Sequence, residues 1–189
     1  MAHLHRNSQK RIYQKNGIYF VTSKTKDNYP YFKEKILCEL WIEELRLCKK
    51  LKKFELLAFC LLSDHFHLLV LPKGRENISR IMKFLKENFS RDANKIITTA
   101  SATAPSRLQL NNIIKSSAKN FIKKYKSDNS FPRFQWQKSF HDHLIRDDSE
   151  TDYHNHYEYT VYNHLKHSLP ETWQYTSLNY PDLIDEILV

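Results

Sequence analysis

Residues 54–72 read FELLAFCLLSDHFHLLVLP, two apolar runs of strand length, 54–62 and 66–71, parted by Ser63-Asp64. Aliphatic and aromatic runs on either side of two turn-forming polar residues predict a β-hairpin. Pro72 and Gly74 close its second strand, because proline cannot donate to a ladder and glycine favours a turn. Strand side chains alternate, so His65 and His67 point to one face and Phe66 to the other. Two imidazoles on one pleat are placed to chelate a single divalent ion. Half-exposed histidines with no ion fit the same spacing, so the pair by itself leaves both readings open.

The flanks extend the pattern. Residues 18–24 (IYFVTSK) are β-branched and aromatic and predict a strand. Residues 33–50 place Ile36, Leu37, Leu40, Trp41, Leu45 and Leu47 at mostly helical spacing and end in Lys49-Lys50, where a helix favours cations. Downstream, residues 76–97 predict a helix carrying Ile78, Ile81, Met82, Leu85 and Phe89 on one side. The small, polar, proline-broken stretch 98–106 (TTASATAPS) reads as a loop, 107–126 as a second helix with a basic end, 138–146 as a last strand and 149–168 as one long helix. This order predicts an α+β fold: an antiparallel sheet with helices packed on one face, a variation on the ferredoxin-like plan. The 189 residues fit a single domain over 1–189, with 94–132 as an inserted linker and basic helix. The tail, 181–189, is expected to dock as a short helix.

Composition narrows the function classes. Gly17 and Gly74 are the only glycines, which excludes the glycine-rich loops that cradle nucleotide phosphates. Cys38, Cys48 and Cys60 are too widely spaced for metal pairs, and their odd number argues against a closed disulfide framework, so a reducing, cytoplasmic compartment is expected. The start, MAHLHRNSQKRIYQKNG, has no apolar secretory core, and no run reaches the roughly 18 apolar residues of a membrane span. Thirty Lys and Arg against 21 Asp and Glu leave a formal charge of +9, a field that attracts polyanions.

The last helix holds several of the chain's 11 tyrosines. Ser149 and Asp152 have capping-box spacing and mark its start. At about 100° per residue, Tyr153, Tyr157, Val161 and Leu165 form one stripe, the expected core face. Tyr159 lies about 180° from that stripe and shares its side with Asn163 and Lys166. Tyr162 is off the stripe as well, so helical geometry leaves two candidate reactive tyrosines.

In combination these segments resemble the HUH nucleases, in which a bulky hydrophobe separates two histidines. More narrowly they resemble the REP-associated tyrosine transposases, relatives of the small single-tyrosine insertion-sequence transposases. The likeness rests on GIYFVTSKTKDNYPYF, on SDHFHLLVLP, on WQKSFHDHLIRD (136–147) and on YTVYNHLKHSL, together most of residues 17–169. It implies a nucleophilic tyrosine four residues before an Asn or Gln that helps hold the metal, which selects Tyr159 with Asn163. Tyr162 would need its ligand at Lys166. The implied site is then His65, His67 and Asn163 around Mg²⁺ or Mn²⁺, with Tyr159 attacking single-stranded or hairpin DNA to give a 5′-phosphotyrosine and a free 3′-hydroxyl. Relatives act as monomers or homodimers. The residues 94–132 exceed the family's usual length before WQ.

Candidate phosphate contacts are Arg80 and Lys83 on the first basic helix, Lys119 and Lys123 on the second, and Arg146 after the last strand, with Trp136 as a stacking platform for a base. Solvated helix faces and core aromatics fit those residues equally well. His141-Asp142-His143 is a second His-x-His, read as a sheet-edge or DNA-proximal element. A non-catalytic nucleic-acid-binding module on the same scaffold, and a zinc hydrolase of small substrates, are the rival functions.

Overall fold

On the strand that carries the two histidines, Phe66, Leu68 and Val70 are buried in one apolar cluster and Leu69 and Leu71 in another, so the strand is covered on two sides. A computed structural model describes residues 11–99, 112–125, 131–146 and 149–186. Its strands are β1 (Tyr19–Lys24), β2 (Phe54–Leu61), β3 (His65–Pro72) and β4 (His141–Leu144). Its helices are α1 (Lys35–Lys52), α2 (Ile78–Thr99), α3 (Asn112–Tyr125), α4 (Glu150–Val161) and α5 (Asn163–Lys166). All strand pairings are antiparallel, in the order β2-β3-β1-β4. With α1 and α2 as crossovers, this is the ferredoxin-like plan.

The predicted hairpin forms as read, with Leu62 N–H bonded to the His65 carbonyl across Ser63-Asp64 (2.8 Å). Its register shifts between Leu56 and Ala58. That bulge leaves Leu57 and Ala58 in one apolar cluster and Leu56, Phe59 and Leu61 in the other, and it sets Cys60 opposite His67.

Helices cover both faces of the sheet, which corrects the one-face expectation. The cluster with α1, α2 and α3 contains Trp41, Phe89, Phe121 and Phe66. The second cluster packs Val161, Tyr153 and Tyr157 of α4 on Leu57, Ala58, Leu69 and Leu71. A strand buried on both faces needs two covers, and the apolar side of α4 supplies the second.

Other boundaries also move. Helix α2 runs to Thr99, into the expected loop, and 100–106 lies outside the described residues, as does the end of the expected second helix at Lys126. The long last helix is interrupted at Tyr162. The tail forms a 3-10 turn, Pro181–Leu183, and then a strap along the β2 edge instead of a docking helix. There Asp185 N–H bonds to the Leu56 carbonyl and Leu56 N–H to the Asp185 carboxylate, both at 2.8 Å, and ahead of the turn Leu61 N–H bonds to the Tyr175 carbonyl (2.9 Å) on the same edge. The strap pairs backbone groups that an edge strand would otherwise expose. Among the described residues no helix is long and apolar enough to cross a membrane.

Candidate active site

Phe66 fixes which way the histidines look. Its ring is fully buried between Trp41 (centroids 5.2 Å apart) and Trp136 (5.4 Å), so the pleat turns His65 and His67 to the α4 side. Their rings lie 5.0 Å apart and edge-on. Across the ladder from them stand Thr22, opposite His67, and Lys24, opposite His65.

Each ring is held through its Nδ1. Asp64 Oδ1 accepts from His65 Nδ1 at 2.6 Å, and Thr22 Oγ1 meets His67 Nδ1 at 2.8 Å. A proton on Nδ1 leaves Nε2 of each ring as the lone-pair donor, the arrangement seen behind metal-bound histidines. His67 Nε2 is buried and has no hydrogen-bond partner. Burial, with the charge of His65 added, lowers the His67 pKa to about 3. Burial also lowers that of His65, against the pull of Asp64. Both rings are therefore neutral, as ligands must be, at physiological pH.

The tyrosine helix comes to them. Ser149 caps it as expected, its hydroxyl accepting from Asp152 N–H (3.1 Å). Along its sheet-facing side the Tyr159 ring meets His67 (5.3 Å) and Phe20 (5.7 Å), and His156 meets Phe20 (4.9 Å). Past the break at Tyr162, His167 meets His65 (4.8 Å). Asn163 opens the short turn α5 between the tyrosine on His67 and the histidine on His65. Asn163 is fully buried, and both its amide oxygen and its amide nitrogen lack partners.

This corrects the two faces assigned from helical periodicity. Asn163 is buried rather than on a solvent face, and Leu165, placed in the core stripe, is exposed. The physical reason is the interruption at Tyr162, which resets the phase of the last turn. Tyr159 keeps 37% of its surface open and Tyr162 42%, so exposure does not separate them; contact with His67 does. The tyrosine and the histidine pair meet within one chain.

Two cations stand nearby, of which sequence reasoning had placed the first beside Tyr159 and missed the second. Lys166 Nζ sits 4.4 Å from the Tyr159 ring centroid, and Lys24 stands opposite His65. The first shares a helix side with Tyr159; the second needs the β1–β3 register, which no local signal carries. His167 was equally silent.

The remaining candidates are dispersed. Arg80 and Lys83 on α2, and Lys119 and Lys123 on α3, are exposed, but those helices cover the opposite face of the sheet from His65 and His67. Trp136 is a core wedge, packed on Phe32, Phe66, Phe89 and Phe134 with its Nε1–H donated to the Lys86 carbonyl (3.2 Å). The residue is half-buried, its ring packed against the core on the side of the sheet away from His65 and His67. Arg146 is exposed on the α4 side and pairs with Asp152 at 3.4 Å. His143 stacks on His156 and pairs with Asp152 at 3.2 Å. Among the described residues only His143, Asp152 and His156 already bring three donor atoms within 4.8 Å of one another.

The buried, neutral imidazole nitrogens beside Tyr159 suit a divalent cation, and so does the unpartnered amide oxygen of Asn163 on the turn that follows. Comparisons with known proteins place the chain in a family. Residues 13–107 match the family described as IS200-like transposases. A REP-associated tyrosine transposase of Haemophilus influenzae is 30% identical over 177 residues, covering 92% of this chain and 86% of its own. Among solved structures, a REP-associated tyrosine transposase bound to a REP hairpin superposes with a TM-score of 0.64 at 18% identity, over 95% of this chain and 89% of that one.

Proposed function

The chain belongs to the REP-associated tyrosine transposases of the IS200-like family, enzymes that act on DNA, and on that premise we propose that it cleaves and rejoins single-stranded DNA beside a hairpin through Tyr159. The observation that carries the reading is the Tyr159 ring 5.3 Å from His67, whose outward nitrogen is buried and unpartnered.

His65, His67 and Asn163 are the residues that would hold Mg²⁺ or Mn²⁺, and such an ion would supply Lewis-acid polarisation of a non-bridging phosphate oxygen. The chain's own groups do the rest. Asp64 and Thr22 orient the imidazoles, so no reorganisation is needed when substrate arrives. Lys24 and Lys166 attract the phosphate to the gap between β3 and α4. The Tyr159 hydroxyl, a weak nucleophile while protonated, attacks phosphorus and forms the 5′-phosphotyrosine as the bond from phosphorus to the 3′-oxygen breaks, the proton lost by the phenol being balanced by the one that the departing 3′-oxygen takes up. The released 3′-hydroxyl later attacks that ester, which rejoins strands without an external energy source.

Incubating the protein with a labelled hairpin bearing a single-stranded flank and Mn²⁺ tests this. A covalent protein–DNA species that survives SDS is expected. Tyr159→Phe, which removes one oxygen, should abolish it while hairpin binding persists; Tyr162→Phe should retain it. A dead Tyr162→Phe beside an active Tyr159→Phe would move the nucleophile to the other side of the helix.

A further inference from the structure

We infer that His167 is a further ligand of the ion held by His65 and His67, and that it sets which metal the site prefers. This rests on the metal reading proposed above. Two imidazoles sharing one ion, each nitrogen about 2.1 Å from it, have ring centroids about 5 Å apart. His65 and His67 are separated by 5.0 Å, and His65 and His167 by 4.8 Å, so the second pair has the spacing of the first.

The backbone holds His167 there at a cost. His167 is the C-cap of α5, whose end is closed by Ser168 N–H to the Leu165 carbonyl (3.1 Å) and Leu169 N–H to the His164 carbonyl (3.0 Å). This pattern needs a left-handed residue after the cap, normally glycine, and here it is Ser168 at φ 55°. The chain accepts that strain at the turn that sets His167 beside His65. The His167 ring is exposed, and no side-chain hydrogen bond ties it among the described residues. It can swing onto the ion while the buried pair stays fixed.

The consequence is selectivity. Mg²⁺ demands oxygen ligands and keeps its waters, whereas Mn²⁺, Co²⁺ and Zn²⁺ take imidazole readily. A third imidazole therefore moves the site away from Mg²⁺.

The test is calorimetric titration of the EDTA-stripped full chain with Co²⁺, Mn²⁺ and Mg²⁺, with the visible spectrum of bound Co²⁺ as a second readout. His143→Ala is titrated alongside to identify any ion taken by the His143, Asp152 and His156 set. One Co²⁺ should bind in a manner abolished by His65→Ala or His67→Ala. His167→Ala should weaken it at least tenfold, change its spectrum and narrow the gap between Mn²⁺ and Mg²⁺, with the unfolding temperature unmoved. His167→Gln keeps the bulk of the side chain with a poorer donor and serves if the alanine variant unfolds. Parent affinity and spectrum in the His167 variants, with binding lost in His65→Ala, would overturn this inference and leave the reading of the site standing. Parent-like binding by the His65 and His67 variants, or no Co²⁺ binding by the parent, would overturn both.

Discussion

His67 shows how much chemistry one residue takes from its surroundings. An imidazole with an ordinary pKa of 6.5 is lowered to about 3 by burial, with the charge of His65 adding to the shift. The folded state therefore binds fewer protons than the unfolded chain between those values. Its stability is full above pH 6.5 and falls as pH drops toward 3. The unfolding temperature of metal-free protein should decline below pH 6.5, and His67→Gln should flatten part of that slope; an identical slope in the variant would mean that other groups set it. Asn163 is a different case, because its amide is buried with neither atom partnered. Removing it relieves two unsatisfied groups while costing the site an oxygen donor. Asn163→Ala is thus expected to fold at least as stably as the parent yet to form adduct more slowly. The loss should be smaller than in Tyr159→Phe, since water can stand in for a ligand but nothing nearby replaces the attacking oxygen.

At the scale of elements, the interrupted last helix matters most. One uninterrupted helix over 149–168 would keep Leu165 in phase with Val161, whereas the observed chain exposes Leu165 and buries Asn163 and His164. The turn that ends it stores backbone strain at Ser168. Glycine suits that conformation, so Ser168→Gly should stabilise the fold by about 0.5–1 kcal/mol, the left-handed penalty less the entropy glycine loses. That is a rise of roughly 2–4 °C per kcal/mol in unfolding temperature, measurable by calorimetry. A fall would mean that the serine side chain does something its backbone does not reveal. The other end of α4 is tied to β4 through Asp152, whose carboxyl is held at about 2 by the Arg146 backbone N–H, with His143 and His156 assisting. A carboxylate with a depressed folded pKa contributes stability above its ordinary value of 3.8 and loses it as pH falls toward 2. Asp152→Asn should therefore remove part of the acid sensitivity in that window.

For the whole molecule, the +9 charge becomes informative once it is divided between the two faces of the sheet. Lys24, Lys166 and Arg146 accompany the histidines, while α2 and α3 carry Arg80, Lys83, Lys119 and Lys123 behind them. A cation that contacts a single strand contributes roughly 0.7 to the slope of log affinity against log salt. Lys166→Gln and Arg146→Gln should each lower the slope for a single-stranded flank by about that amount. Lys119→Gln and Lys123→Gln should leave it unchanged. The reverse pattern would place the DNA on the far side of the sheet and separate binding from the tyrosine.

Local pattern in the sequence determined the hairpin, the common facing of His65 and His67, the cap at Ser149 and the helix that carries Tyr159. These are consequences of the two-residue period of a strand and the 3.6-residue period of a helix, both readable along a short stretch. The resemblance chose Tyr159 over Tyr162, because helical spacing had left them equal. What only the tertiary structure decided is which surfaces meet. It set α4 on the face opposite α1 and α2, Lys24 beside His65 through strand register, Trp136 in the core, and His167 on His65 beyond a break that the helical period did not mark. Each of these depends on contacts between residues far apart in the chain, and a period measured along one segment carries no information about the segment it will pack against.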